Sequence, residues 1–117
     1  MEPRRVVVTG LGAVTPIGND VKTYWTNLLA GTSGAAPITH FDTALFKTTF
    51  ACEVKDFQAE QYFDRKELRK VDPYAQFAMA AAVEAMNDAA FDLEQEDLDR
   101  FGAVVGVGIG GTRTFEE

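Results

Sequence analysis

At 117 residues, with a hydrophobic share of 46% and a charged share of 25%, the chain has the size and composition of one folded domain, not of a disordered segment. No apolar run reaches the roughly 18–20 residues that cross a bilayer, and Met1-Glu2-Pro3-Arg4-Arg5 is followed only by Val6-Val7-Val8, too short for a secretory leader. A net charge of −7 argues against nucleic acid as a partner, while one cysteine (Cys52) and one histidine (His40) leave no disulfide framework and no Cys/His zinc cluster, so a soluble protein of the reducing cytoplasm is expected, with no membrane partner.

In chain order, residues 4–9 read as a strand whose three valines suit a position buried on both faces of a sheet. Gly10 to Gly12 break it, and Pro16 and Gly18 hold a turn. Asn19 or Asp20 can then cap a helix with Val21, Trp25, Leu28 and Leu29 on one face, closed by Gly31. Strand, glycine-rich turn and helix make the opening of an α/β unit. Residues 32–48 show no period and read as loop, and residues 49–55 as a short strand. Residues 64–70 read as a short charged helix. Asp72 followed by Pro73 is a strong helix start, with a side-chain acceptor at the N-cap and proline at the first turn, where its missing N–H costs nothing.

From Pro73 to about Ala90, Tyr74, Phe77, Ala81, Ala85 and Ala89 share one face, and further alanines widen the small-residue surface around it. Such a helix is expected to lie between layers, approached closely by other backbones. Residues 92–100 form a polar connector. Residues 101–107 are a second apolar strand, running into Gly106-Val107-Gly108-Ile109-Gly110-Gly111. Two buried strands, one weak strand and one long helix do not close a sheet, so the chain reads as an incomplete α/β fold that, expressed alone, should aggregate or order poorly.

Two glycine clusters invite a nucleotide reading. Gly10-Leu11-Gly12 follows a strand, yet Thr15 stands where a dinucleotide fingerprint needs its third glycine, and the helix begins too late to meet a pyrophosphate. A structural turn is the better reading. No lysine follows Gly106 to Gly111 as a phosphate loop requires, and close packing there is favoured over ligand contact. The other unusual feature is electrostatic. Arg65, Lys66, Arg69 and Lys70 place four of the eleven basic residues within six positions, with Glu67 the acidic residue inside that run. With Asp64 included, residues 64–70 carry four basic against two acidic groups, which leaves −9 to the remainder. A positive spot on a negative protein suits an acidic partner brought in by electrostatic steering; a solvated helix that happens to be basic is the plain alternative.

Taken in order, Arg4-Arg5-Val6-Val7-Val8-Thr9-Gly10-Leu11-Gly12, Thr15-Pro16-Ile17-Gly18-Asn19, His40-Phe41-Asp42-Thr43, Glu53-Val54-Lys55-Asp56-Phe57, the run from Asp64 to Asp72, the alanine-rich helix and the second glycine cluster resemble the start of the β-ketoacyl-[acyl-carrier-protein] synthases, of the elongating type II. The resemblance covers essentially the whole chain. It implies the thiolase-like fold, two similar α/β halves in five α-β-α-β-α layers, of which residues 1–117 would be the N-terminal portion of the first half. It also implies a homodimer that elongates fatty acyl chains by decarboxylative Claisen condensation with malonyl-acyl carrier protein. Cofactors are none: the substrate arrives on the carrier's phosphopantetheine arm.

By the same resemblance, the nucleophilic cysteine belongs to a Thr-Ala-Cys-Ser-type turn beyond residue 117 and is assisted by two histidines. Cys52, followed by Glu53, does not match it, and His40 belongs to a structural loop. No catalytic residue is therefore expected in this chain, which alone should be inactive. Lys66, Arg69 and Lys70, with Arg65 beside them, match the patch that docks acyl carrier protein, and Ile109 matches the isoleucine lining the acyl pocket. A polyketide ketosynthase or a non-catalytic chain-length factor is the alternative. A dehydrogenase is a distant third reading.

Overall fold

The computed structural model describes residues 3–116. They pack as two compact units, one formed by residues 3–12 with 59–116, the other by residues 13–58.

In the 13–58 unit, Thr15 and Gly18 exchange backbone hydrogen bonds of 2.8 and 3.2 Å around Pro16 and Ile17, a tight turn. Helix α1 follows at Val21–Leu29. Its cap is Asp20, whose carboxylate accepts from the Thr23 N–H and the Thr23 hydroxyl, each at 2.7 Å. Gly31, at φ +68°, takes the left-handed conformation that ends a helix without a Cβ penalty. Of the four apolar residues expected on its packed face, Val21 alone is covered. Val21, Tyr24 and Asn27 are half-buried, whereas Trp25, Leu28 and Leu29 are exposed. The turn explains the choice: Gly18 lies against the Tyr24 backbone, where a Cβ would come within 2.4 Å of the amide nitrogen, and Asn27 donates to the Ile17 carbonyl at 2.6 Å. Backbone contact and a hydrogen bond select the face, and the larger apolar residues are left outside.

The stretch read as loop contains strand β1, Ala36–Pro37, antiparallel to β2, Phe50–Ala51, with Ala36 opposite Ala51 and Pro37 opposite Phe50. Of the expected 49–55 strand, Phe50 and Ala51 form the ladder, and the Thr49 carbonyl accepts a further bond from the Ile38 N–H at 3.0 Å. Pro37 has no N–H to offer, which restricts such a pair to a short edge.

In the other unit, helix α2 is Arg65–Leu68, one turn shorter in scope than the charged segment that suggested it. Helix α3, Pro73–Ala89, matches its expected bounds and has proline in its first turn. Ala81, Ala85 and Ala89 are half-buried against the Gly10–Gly12 segment: a Cβ on Gly10 would come within 2.2 Å of the Ala85 carbonyl oxygen, and one on Gly12 within 1.8 Å of that of Ala81. The Leu11 N–H donates to the Asp88 carboxylate at 3.0 Å and fixes the register. Small residues thus allow the close backbone approach that the alanine stripe suggested. Burial between layers is not seen, however, since Ala80 is the one fully buried residue of the described chain, at 2% exposure.

The two apolar runs depart furthest from expectation. Residues 4–9 and 101–107 belong to no strand, and their valines are open to solvent, with Val6 89% and Val104 fully exposed. The reason is physical: a run of valines becomes a strand only when a neighbour supplies ladder hydrogen bonds, and among the described residues neither run has one. The connector carries a single 3-10 turn at Leu98–Arg100, and the chain continues into a short helix α4, Thr112–Glu116, that the sequence pattern does not announce.

Candidate carrier-docking patch and acyl cleft

Both features of interest lie in the unit that contains α2, α3 and α4. The α2 turn is a single helical turn, and a turn of that length is not stable by propensity alone. It is held by a reciprocal cap. The Asp64 carboxylate accepts from the N–H groups of Lys66 (2.7 Å) and Glu67 (2.9 Å), and the Glu67 carboxylate accepts from the Asp64 N–H at 3.2 Å. Each such cap contributes about 1 kcal/mol. The electrostatic consequence matters more. The two acidic residues of the 64–70 segment, Asp64 and Glu67, are occupied by backbone donors. Arg65, Lys66, Arg69 and Lys70 are all exposed, and among the described residues none of them forms an ion pair.

The helix ends at Leu68, with Arg69 as its C-cap, and Lys70 N–H turns back to the Glu67 carbonyl at 2.8 Å. The basic residues therefore do not continue as a regular i, i+4 stripe through Lys70. They flank one turn and its exit, which relieves part of the like-charge repulsion of a longer helix.

Ile109, 87% exposed, borders an open apolar cleft of about 580 Å³. Tyr74, Ala78 and Met79 of α3 form one wall, and Val105, Val107 and Ile109 the other. Tyr74 sits on the α3 face read from the sequence, but Met79 and Ala78 do not. Alternation of Val105, Val107 and Ile109 was the available signal for the second wall. Gly106 and Gly108 have open space where a Cβ would project, so close packing does not explain them, whereas Gly110 lies on the Tyr74 ring and Gly111, at φ +73°, against the Asp72 carboxylate.

Asp72 occupies the N-cap position of α3 with extended backbone, yet its side chain does not cap the helix. Its carboxylate instead accepts from the Thr114 hydroxyl at 2.5 Å. Sequence reasoning missed this pairing because the two residues are 42 positions apart.

Of the two residues set aside as non-catalytic, Cys52 is an exposed free thiol. His40 Nε2 lies 3.8 Å from the Glu53 carboxylate, which accepts from the Thr39 hydroxyl at 2.7 Å and the Thr39 N–H at 3.0 Å. These two donors, with the His40 side chain, hold the Glu53 carboxyl below the usual carboxylate range. Glu53 and His40 thus serve a loop. The Leu11 N–H, committed to Asp88, together with Gly10 and Gly12 packed on α3, makes the first glycine cluster a packing device and not a phosphate cradle.

The chain belongs to the β-ketoacyl synthase family: residues 3–117 match the model of the beta-ketoacyl synthase N-terminal domain. It is similar to the 3-oxoacyl-[acyl-carrier-protein] synthase 2 of a Synechocystis strain, at 45% identity over 117 residues, covering 100% of this chain and 28% of the relative. The enzyme of the same name from Staphylococcus aureus strain COL is 48% identical over 113 residues, covering 97% of this chain and 27% of the relative. That from Vibrio cholerae is 46% identical over 116 residues, covering 99% and 28%. Among solved structures, the ishigamide ketosynthase/chain length factor superposes with a TM-score of 0.70 at 43% identity, over 78% of this chain and 23% of that one. The chain therefore spans less than a third of the length of the relatives it matches.

Proposed function

We propose that this chain is the opening part of a 3-oxoacyl-[acyl-carrier-protein] synthase 2, which lengthens fatty acyl chains by condensing an acyl-enzyme with malonyl-acyl carrier protein. The observation that carries the reading is the 45–48% identity to enzymes of that name over 97–100% of the chain. In this reading a cysteine outside the present sequence takes the acyl group from its carrier. Malonyl-carrier then loses carbon dioxide, and the carbanion attacks the thioester, with two histidines stabilising the developing negative charge. Neither Cys52 nor His40 takes part, so the chain by itself is inactive. The wider fold is thiolase-like and five-layered, and the working protein is a cytoplasmic homodimer.

The chain's own contribution is recognition. Arg65, Lys66, Arg69 and Lys70, exposed and unneutralised by neighbouring carboxylates, attract an acidic carrier to a protein that is otherwise negative. Ile109 and the apolar cleft beside it form one wall of the acyl pocket, where burial of each methylene of the guest contributes about 0.8 kcal/mol. The full-length protein is tested by mixing it with acyl- and malonyl-acyl carrier protein and following release of carbon dioxide and of 3-oxoacyl product. The likeness to the ishigamide ketosynthase/chain length factor is consistent with a second reading, a polyketide ketosynthase or its non-catalytic partner subunit, of which the subunit is the one that departs from enzyme function. Such a subunit yields no product alone and yields it when a companion ketosynthase is supplied; product from the protein alone refutes that reading.

A further inference from the structure

Asp72 starts α3, yet its side chain is turned to a partner outside that helix. As the N-cap of α3, with φ −63° and ψ 152°, it has the backbone geometry from which an aspartate ordinarily accepts from first-turn N–H groups. Its side chain makes no such bond and is engaged by the Thr114 hydroxyl, on the far side of the glycine cluster. Close contacts surround this bond. Gly111 lies so near the Asp72 carboxylate that a Cβ there would be 3.0 Å from Oδ2, Gly110 rests on the Tyr74 ring, and Ile109 follows at the lip of the cleft. On its other side Asp72 borders a second concavity of about 440 Å³, shared with Arg69, Lys70 and Thr114. One carboxylate thus adjoins both the end of the basic patch and the tether of the pocket wall.

We propose that Asp72 is a positioning residue for the acyl cleft: by binding Thr114 instead of capping α3, it holds the Gly110–Gly111 turn against Tyr74 and thereby sets Ile109. This rests on the reading of the cleft as an acyl site. Pro73 has no N–H, and the Ala75 and Gln76 N–H groups each donate to the Asp72 carbonyl at 3.0 Å, so backbone bonds hold the helix start and leave the carboxylate to Thr114. No bond to a ligand is required of Asp72 or Thr114. Their effect reaches the acyl chain only through the turn.

The test compares Thr114→Val, which keeps shape and loses the hydroxyl, with Thr114→Ser, which keeps the hydroxyl, in the full-length protein. Amide hydrogen exchange is read over residues 108–114, and relative rates are read on acyl-carrier substrates of increasing length. Thr114→Val should exchange about five- to tenfold faster at Gly110 and Gly111, the range expected for losing one partly exposed bond to a carboxylate. It should also change the ratio of long- to short-chain rates at least threefold while leaving the carrier KM unaltered. Thr114→Ser should restore both. Equal exchange in the two variants overturns the proposal, as does separated exchange with identical chain-length profiles. A wild-type protein that never condenses acyl and malonyl groups would overturn the reading of the site, and with it the role in the pocket. That failure is recognisable because it needs no variant.

Discussion

Gly12→Ala is the substitution with the most sharply defined consequence. The added Cβ would stand 1.8 Å from the Ala81 carbonyl oxygen, 2.7 Å from its carbon and 2.9 Å from the Ala85 nitrogen. Ordinary contact begins near 3.4 Å, so the Gly12 segment and α3 must part by about 1.6 Å along that line. All three obstructing atoms are backbone, and no side-chain rotation relieves them. A gap of 0.5–1 Å already forfeits a quarter to a half of the dispersion energy across a contact, and the Leu11–Asp88 hydrogen bond, now 3.0 Å, would stretch beyond its range. Overpacking of this kind costs about 1–3 kcal/mol, and the exposed hydrogen bond adds about 1, for a total of about 2–4 kcal/mol. Gly102→Ala is the matched control, since nothing lies within 4 Å of its Cβ position and its φ is not positive. Urea denaturation of the full-length protein should show the midpoint of Gly12→Ala well below wild type, with Gly102→Ala within about 0.5 kcal/mol of it. Equal midpoints for the two variants would refute the account of how the glycine segment meets α3.

Charge reversal of Lys66 and Arg69 to glutamate should raise the apparent KM for acyl-carrier substrate about tenfold at low salt, and far less at high ionic strength, with kcat little altered; a KM unchanged at every salt concentration would remove the docking assignment. Ile109→Phe should shorten the longest chain accepted, with a rate loss of about tenfold or more confined to long substrates, read from the product spectrum. Asp20→Ala should cost α1 about 1 kcal/mol at neutral pH, seen as faster amide exchange in its first turn. Bonds from the Thr23 N–H, then its hydroxyl, hold the Asp20 carboxyl below the usual carboxylate range. The folded value is depressed, so the contribution is present at neutral pH and is lost as pH falls through that value, below about pH 4. Asp20→Asn, which caps without titrating, should remove this acid dependence of exchange at Thr23.

The features legible along the chain are local or electrostatic. Pro73 after Asp72 starts α3, and Gly31 ends α1, because each signal acts over a few bonds and needs no distant partner. The basic cluster was legible for the same reason, since charge is counted along the chain; that its two acidic neighbours are spent on backbone N–H groups was not. Likewise Ile109 was found by resemblance, but its companions Met79 and Ala78 were not.

Tertiary structure alone decided the rest. The helix face of α1 went to Val21, Tyr24 and Asn27 and not to Trp25, because the Thr15–Gly18 turn presents backbone, and backbone must be met by small spaces and hydrogen bonds. The Asp72 side chain bonds Thr114, 42 positions away, and not its own helix. Residues 4–9 and 101–107 show the limit from the other side: their composition is that of buried strands, but a strand is a relation between two segments, and composition cannot supply the second.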